Sequence, residues 1–102
     1  MKAYRVFFTG PAERESMQVR AWWREHRPAA PGLFEEELSS ALATLAALPL
    51  AGNPYANPRM NEVRRYLLRA TRYHVYYRIE AESVLILSIW SAVRGSRPDP
   101  FR

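Results

Sequence analysis

Arginine is the residue type with the most chemistry to offer in this sequence, and it is unevenly placed. Residues 55–102 carry nine basic side chains, every one an arginine, against the acids Glu62, Glu80, Glu82 and Asp99. Residues 1–54 balance their bases and acids, so the whole formal charge of +5 falls on the second stretch. The planar guanidinium fork matches the paired oxygens of a phosphate or carboxylate better than a lysine ammonium does. An acidic partner is therefore expected, either nucleic acid or an acidic protein segment. A basic, merely solvated surface accounts for the same charge equally well. His74 lies among these arginines, and an imidazole with a pKa near neutrality can carry a proton. His26 stands in an unrelated setting and cysteine is absent. That combination argues against a metal centre, a disulfide framework and thiolate catalysis, so neither metal nor cofactor is expected.

The residues that must position these groups fall in three runs over 62–90. Val63, Arg64, Arg65, Tyr66, Leu67, Leu68 and Arg69 form the first, with Val63 and Leu67 on one side. In the second, Tyr73, Val75, Tyr77 and Ile79 alternate with His74, Tyr76 and Arg78. A period of two marks both as half-buried strands and puts His74 on the exposed side. Val84, Leu85, Ile86, Leu87, Ser88, Ile89 and Trp90 are apolar on both faces, as expected of the innermost strand of a sheet. The connections Ala70-Thr71-Arg72 and Glu80-Ala81-Glu82-Ser83 are too short for anything but hairpins, which gives an antiparallel three-stranded meander.

Ahead of it, Tyr4, Val6 and Phe8 alternate in a short strand that stops at Gly10-Pro11. Pro11 opens a helix that ends before Pro28, with Ala12, Ser16, Val19, Trp23 and His26 on one face and Trp22 beside them. As helix neighbours, Trp22 and Trp23 should not face the same core; one is expected buried and the other available to a partner. After a turn over 28–32, Phe34, Leu38, Ala41, Leu42, Leu45 and Leu48 make a continuous apolar stripe that Pro49 terminates. Glu35, Glu36 and Glu37 sit at the positive end of this second helix. Residues 49–61, rich in Pro, Gly and Asn, are expected as one long loop.

At 102 residues the chain is expected to be a single domain with a loosely ordered tail over 91–102. It contains no apolar run long enough to span a bilayer and no apolar stretch of signal-peptide type near Met1, so a cytoplasmic location and no membrane partner are expected. The two helices need a sheet to cover their apolar sides, and the meander is the one available. The fold class is α+β, in the order β-α-α-β-β-β, with the helical hairpin packed on one face of the meander.

That order, with Leu48-Pro49-Leu50-Ala51-Gly52 after the second helix, the tyrosine-rich Tyr73-His74-Val75-Tyr76-Tyr77-Arg78-Ile79, and Val84-Leu85-Ile86-Leu87-Ser88-Ile89-Trp90 with Arg94 beyond, resembles the RelE/ParE superfamily of bacterial toxins. The helix with Trp22-Trp23 leading to Pro28 is similar to a ParE-type subgroup. The resemblance implies a toxin of a type II toxin-antitoxin system, with a part in plasmid stabilisation, silenced by a cognate antitoxin in a hetero-oligomer. It also implies that the first strand joins the meander in one sheet. ParE-like members inhibit DNA gyrase and RelE-like members cut mRNA in the ribosome, on one shared fold that does not choose between them.

RNA cleavage through the 2′-hydroxyl needs a base, an acid for the leaving oxygen and cations for the phosphate. In the ribonuclease branch, basic residues on the second and third sheet strands and just after the last one do this, often with a tyrosine near the C-terminus. By that correspondence the catalytic candidates are Arg65, His74 and Arg94, with Arg97 as an alternative to Arg94. Phe101 stands near the expected tyrosine and no lysine lies near the sheet, so the set is incomplete and the gyrase reading is favoured. A non-toxic relative that only binds antitoxin is a third possibility. Trp22, Trp23, Arg64, Arg69, Arg78 and Arg97 are the candidate partner-binding residues. Tyr66, Tyr76 and Tyr77 are read as packing residues in preference to base-stacking ones.

Overall fold

The computed structural model describes residues 2–93. Strand β1 (Arg5–Phe8) leads into helix α1 (Gly10–His26), helix α2 (Leu33–Ala47), a 3₁₀ turn (Pro49–Ala51), and strands β2 (Asn53–Pro54), β3 (Arg64–Leu68), β4 (Tyr73–Glu80) and β5 (Ser83–Ser91). They form one five-stranded sheet in the order β1-β5-β4-β3-β2. The expected meander is β3-β4-β5, antiparallel throughout. β1 joins it beside β5 and runs parallel to that strand, which makes the sheet mixed. α1 lies over β5, and α2 over β3 and β1, so both helices cover the same face.

The helices form where capping and periodicity place them. Thr9 caps α1 by accepting a hydrogen bond from the Ala12 N–H at 3.2 Å, and Pro11 occupies the first turn, where its missing donor costs nothing. Ala12, Ser16 and Trp23 are buried on the expected face, whereas His26 at the C-terminal end is exposed. Phe34, Leu38, Ala41 and Leu45 are buried along α2. Leu48, expected to prolong the stripe, caps the helix and is 60% exposed, because the chain has already turned out of helical geometry there. The main core joins these residues to Leu68, Val75, Tyr77, Val84, Ile86 and Ile89 of the sheet.

Four further expectations are corrected by the tertiary structure. Residues 49–61 are not one unstructured loop: the 3₁₀ turn and the two residues of β2 interrupt it, with Asn53 opposite Arg65 and Pro54 opposite Arg64. Tyr66 and Leu68, not Val63 and Leu67, turn toward the main core, while Val63 is buried on the opposite side of the sheet. β5 is internal, but the middle place belongs to β4. Last, β5 runs on through Ser91, with Ala92 N–H bonded to Arg72 O at 2.8 Å, so the tail does not begin at 91; residues 94–102 lie outside the described residues.

Two carboxylates fasten the helices to the sheet. β1 ends opposite Ile86, and among the described residues no strand lies beside the far part of β5 on that side. Glu15 of α1 accepts there from Ile89 N–H and Ser88 Oγ, both at 3.0 Å. Glu37 of α2 grips the β3–β4 turn, accepting from Ala70 N–H, Thr71 N–H and the Thr71 hydroxyl at 2.7, 2.9 and 2.7 Å. Burial pushes the Glu37 carboxyl up, but these three donors together outweigh it and hold it below its ordinary value of 4.5. A carboxylate stabilised in this way contributes stability above its unfolded pKa and loses it as pH falls through the lowered folded value. Glu37→Gln is therefore expected to cost roughly 1–2 kcal/mol at pH 7. The gap from the parent should narrow in acid, as urea unfolding at neutral and low pH will measure.

Among the described residues, no helix is long and apolar enough to cross a membrane, and no three His, Cys, Asp or Glu side chains group as metal ligands.

Candidate functional site

Because both helices cover one face of the sheet, the other is available for function. Its centre is a second, smaller cluster in which Val63, Tyr76 and Leu87 are buried, with Tyr55, Met60, Leu85 and Trp90 packed around them. The register places Leu67, His74 and Trp90 in one row across β3, β4 and β5, and Arg65 and Tyr76 in the next. A register shift at Tyr76/Tyr77 leaves Leu87 as an extra residue on β5, and its side chain packs in this second cluster.

The segment over 55–62 folds across this face. Tyr55 N–H donates to Val63 O at 2.8 Å, which anchors the segment to the start of β3. The Tyr55 ring meets Tyr76 edge-on with centroids 5.0 Å apart, and the Arg65 guanidinium lies 4.9 Å above that ring. His74 approaches Tyr76 edge-on at 5.9 Å. Arg65, His74 and Tyr76 thus share one aromatic, positively charged surface.

The other arginines are placed differently. Arg64 turns away, and its Nη1 donates to Gly52 O at 2.6 Å and Leu50 O at 3.4 Å. Arg78, opposite Leu85 at the far end of β4, is half-buried and pairs with Glu80 at 3.6 Å. Arg69 is exposed in the β3–β4 turn. Arg94, Arg97 and Phe101 lie outside the described residues. The sheet therefore brings together Arg65, His74 and, farther along, Arg78, but not Arg64 or Arg69.

Beneath Arg64 lies a group that the sequence reading treated only as packing. Tyr77 is fully buried; its hydroxyl donates to Pro49 O at 2.7 Å and accepts from Gly52 N–H at 2.8 Å. Burial raises its pKa above 10.0, against the lowering effects of the Gly52 donor and the Arg64 charge. The bond to Pro49 O requires a neutral phenol. Tyr77 and Arg64 together fix the 3₁₀ turn and β2 to the sheet, and so set where the 55–62 segment starts. Tyr55 was also missed, although a lone aromatic in a Pro- and Asn-rich stretch was a usable signal. No sequence signal marked Glu15.

On α1, Trp23 is buried and Trp22 is 39% exposed, as their adjacency required. Trp22 stacks on His26 with centroids 4.6 Å apart, and Arg27 lies 4.8 Å over its ring. Both tryptophans border a groove of about 490 Å³ that also includes Arg27, Tyr73, Trp90 and Val93. Such aromatic anchors suit a protein partner. The geometry as a whole offers docking surfaces, one aromatic and basic on the sheet and one aromatic at α1.

The family described as the ParE toxin of the type II toxin-antitoxin system, parDE, matches residues 6–94. No curated protein sequence matches. Among solved structures, the chain is similar to one described as the chromosomal ParDE toxin-antitoxin system from P. aeruginosa, with a TM-score of 0.71 at 13% identity, covering 87% of this chain and 96% of that one. It is also similar to the RelBE2 toxin-antitoxin complex from Mycobacterium tuberculosis, with a TM-score of 0.63 at 23% identity over 87% of this chain and 98% of that one. The intact E. coli RelBE toxin-antitoxin complex gives 0.60 at 22% identity over 90% and 100%. At these identities the likeness establishes the fold.

Proposed function

Because the chain belongs to the ParE toxin family of type II toxin-antitoxin systems, we propose that it inhibits growth by binding DNA gyrase, without chemistry of its own, and that a cognate antitoxin keeps it silent. The observation that supports this reading is the placement of the arginines nearest the expected ribonuclease position. Arg64 is turned away from this face and tied to Gly52 O, and the Arg65 guanidinium is held over the Tyr55 ring, so a single arginine of the pair is left on the aromatic surface. Phosphoryl chemistry needs several cations aimed at the substrate. One aromatic and basic surface suits recognition of an acidic macromolecule better than catalysis. The antitoxin partner is supported by the family itself and by the resemblance of the fold to toxins solved within toxin-antitoxin complexes.

A second reading, ribosome-dependent mRNA cleavage, is favoured by one observation: Arg65 and His74 share with Tyr76 the sheet face opposite the helices. His74→Ala separates the two. Under the gyrase reading, growth arrest by this variant and its inhibition of purified gyrase rise or fall together. Recovery of normal growth by a folded variant that still inhibits gyrase would transfer the assignment to a ribonuclease with His74 as its proton carrier.

A further inference from the structure

The two outer strands of the sheet differ in how well they resist a further strand. β2 is two residues long and ends in Pro54, which has no N–H to give. β1 presents Val6-Phe7-Phe8 without proline, bulge or charge, the devices that ordinarily protect an edge. Arg5 N–H donates to Glu82 O at 3.1 Å and Thr9 N–H to Ile86 O at 3.0 Å, so the odd-numbered residues of β1 bond to β5. The even-numbered ones point outward, as Tyr4 confirms by donating to Ala46 O at 2.8 Å. Among the described residues, no strand stands on that side of Val6 and Phe8. Between them Phe7 is 48% exposed, on the sheet face opposite the helices and in one row with Leu85 and Arg78.

A second copy of this chain fits the edge. Antiparallel pairing about a two-fold axis at Phe7 sets Val6 opposite Phe8 of the other copy, and each such pair exchanges both of its backbone bonds. The two Phe7 rings then meet at a non-hydrogen-bonded position, where opposed side chains come closest. Arg5 falls opposite Thr9 of the other copy, which separates the two Arg5 residues by about 13 Å along the ladder. That exceeds the screening length of about 8 Å at physiological salt. Tyr4 falls opposite Gly10, where the carbonyl end of α2 in one copy comes beside the N–H end of α1 in the other. These helix ends carry opposite partial charge. A foreign strand would gain the backbone bonds but none of these two-fold matches.

We propose that two copies of the chain associate through β1, joining their sheets into one and turning the Arg65 and His74 faces of both to the same side. The contact is short, so the dimer is weak, with a dissociation constant in the micromolar range. The absence of cysteine provides the test, because Phe7→Cys can form a disulfide only between copies. At micromolar concentration under mild oxidation, the purified full chain carrying Phe7→Cys is expected to cross-link at least about tenfold faster than one carrying Met17→Cys. Met17 is 56% exposed but lies on α1, away from the edge. In the unaltered chain, amide exchange at Val6 and Phe8 is expected to slow as concentration rises. Equal cross-linking of the two variants would overturn the proposal, as would exchange at Val6 and Phe8 that does not change with concentration.

Discussion

Gly52→Ala is expected to lower the thermal midpoint by at least about 10 °C, a large loss for one methyl group. An added Cβ at residue 52 would lie 2.6 Å from the Tyr77 hydroxyl, 2.7 Å from Tyr77 Cε1 and 2.9 Å from Arg65 O. None of the three can yield easily. The Tyr77 ring is fully buried in the main core, and Arg65 O belongs to the backbone of β3. The clash therefore forces the 3₁₀ turn off the sheet and breaks the Gly52–Tyr77 and Arg64–Gly52 hydrogen bonds with it. Overpacking and lost buried bonds together cost roughly 3 kcal/mol. In a chain of this size, that corresponds to a drop of about 10–25 °C. Gly32→Ala is the control, because nothing lies within 4 Å of a Cβ there and the midpoint should scarcely move. Thermal unfolding followed by circular dichroism measures both; equal midpoints for the two variants would remove the tyrosine staple from the account.

The same staple marks the limit of what the sequence discloses. Tyr77 was legible as a core residue from its alternation with Val75 and Ile79, but the partners of its hydroxyl lie at Pro49 and Gly52, in a stretch whose composition indicated only a loop. α2 was legible because Phe34, Leu38, Ala41 and Leu45 repeat at the helical period with nothing to contradict them. β3 was not, because Leu67 and Leu68 are adjacent and equally apolar. The choice between faces is made by what lies above each one: the helices over Leu68, and the 55–62 segment over the far side. The parallel neighbour of β5 could not be read from either strand, since pairing across the sheet depends on where α1 and α2 return the chain. Of the candidate residues, His74 and Arg78 lie on the alternation of β4 opposite Val75 and Tyr77, as read, whereas Arg65 shares the face of Val63 and Leu67, which the alternation alone did not mark as exposed. Arg64 was read as a partner-binding residue, because alternation assigns a face but not the carbonyls of Gly52 and Leu50 that engage the guanidinium.

The largest functional effect is expected on gyrase itself. A binding inhibitor works by occupancy, so loss of activity should track the ratio of toxin to target, whereas a ribonuclease turns over and acts well below one equivalent. Antitoxin should reverse the effect, since occupancy by one acidic partner competes with occupancy by another on the basic half of the chain. Adding the purified chain to gyrase and relaxed plasmid, beside a translating extract whose mRNA is followed by primer extension, tests this directly. The account predicts that supercoiling is lost at about one toxin per gyrase, with cleaved plasmid accumulating and every message intact. Undisturbed supercoiling beside mRNA cut in the ribosome would contradict it.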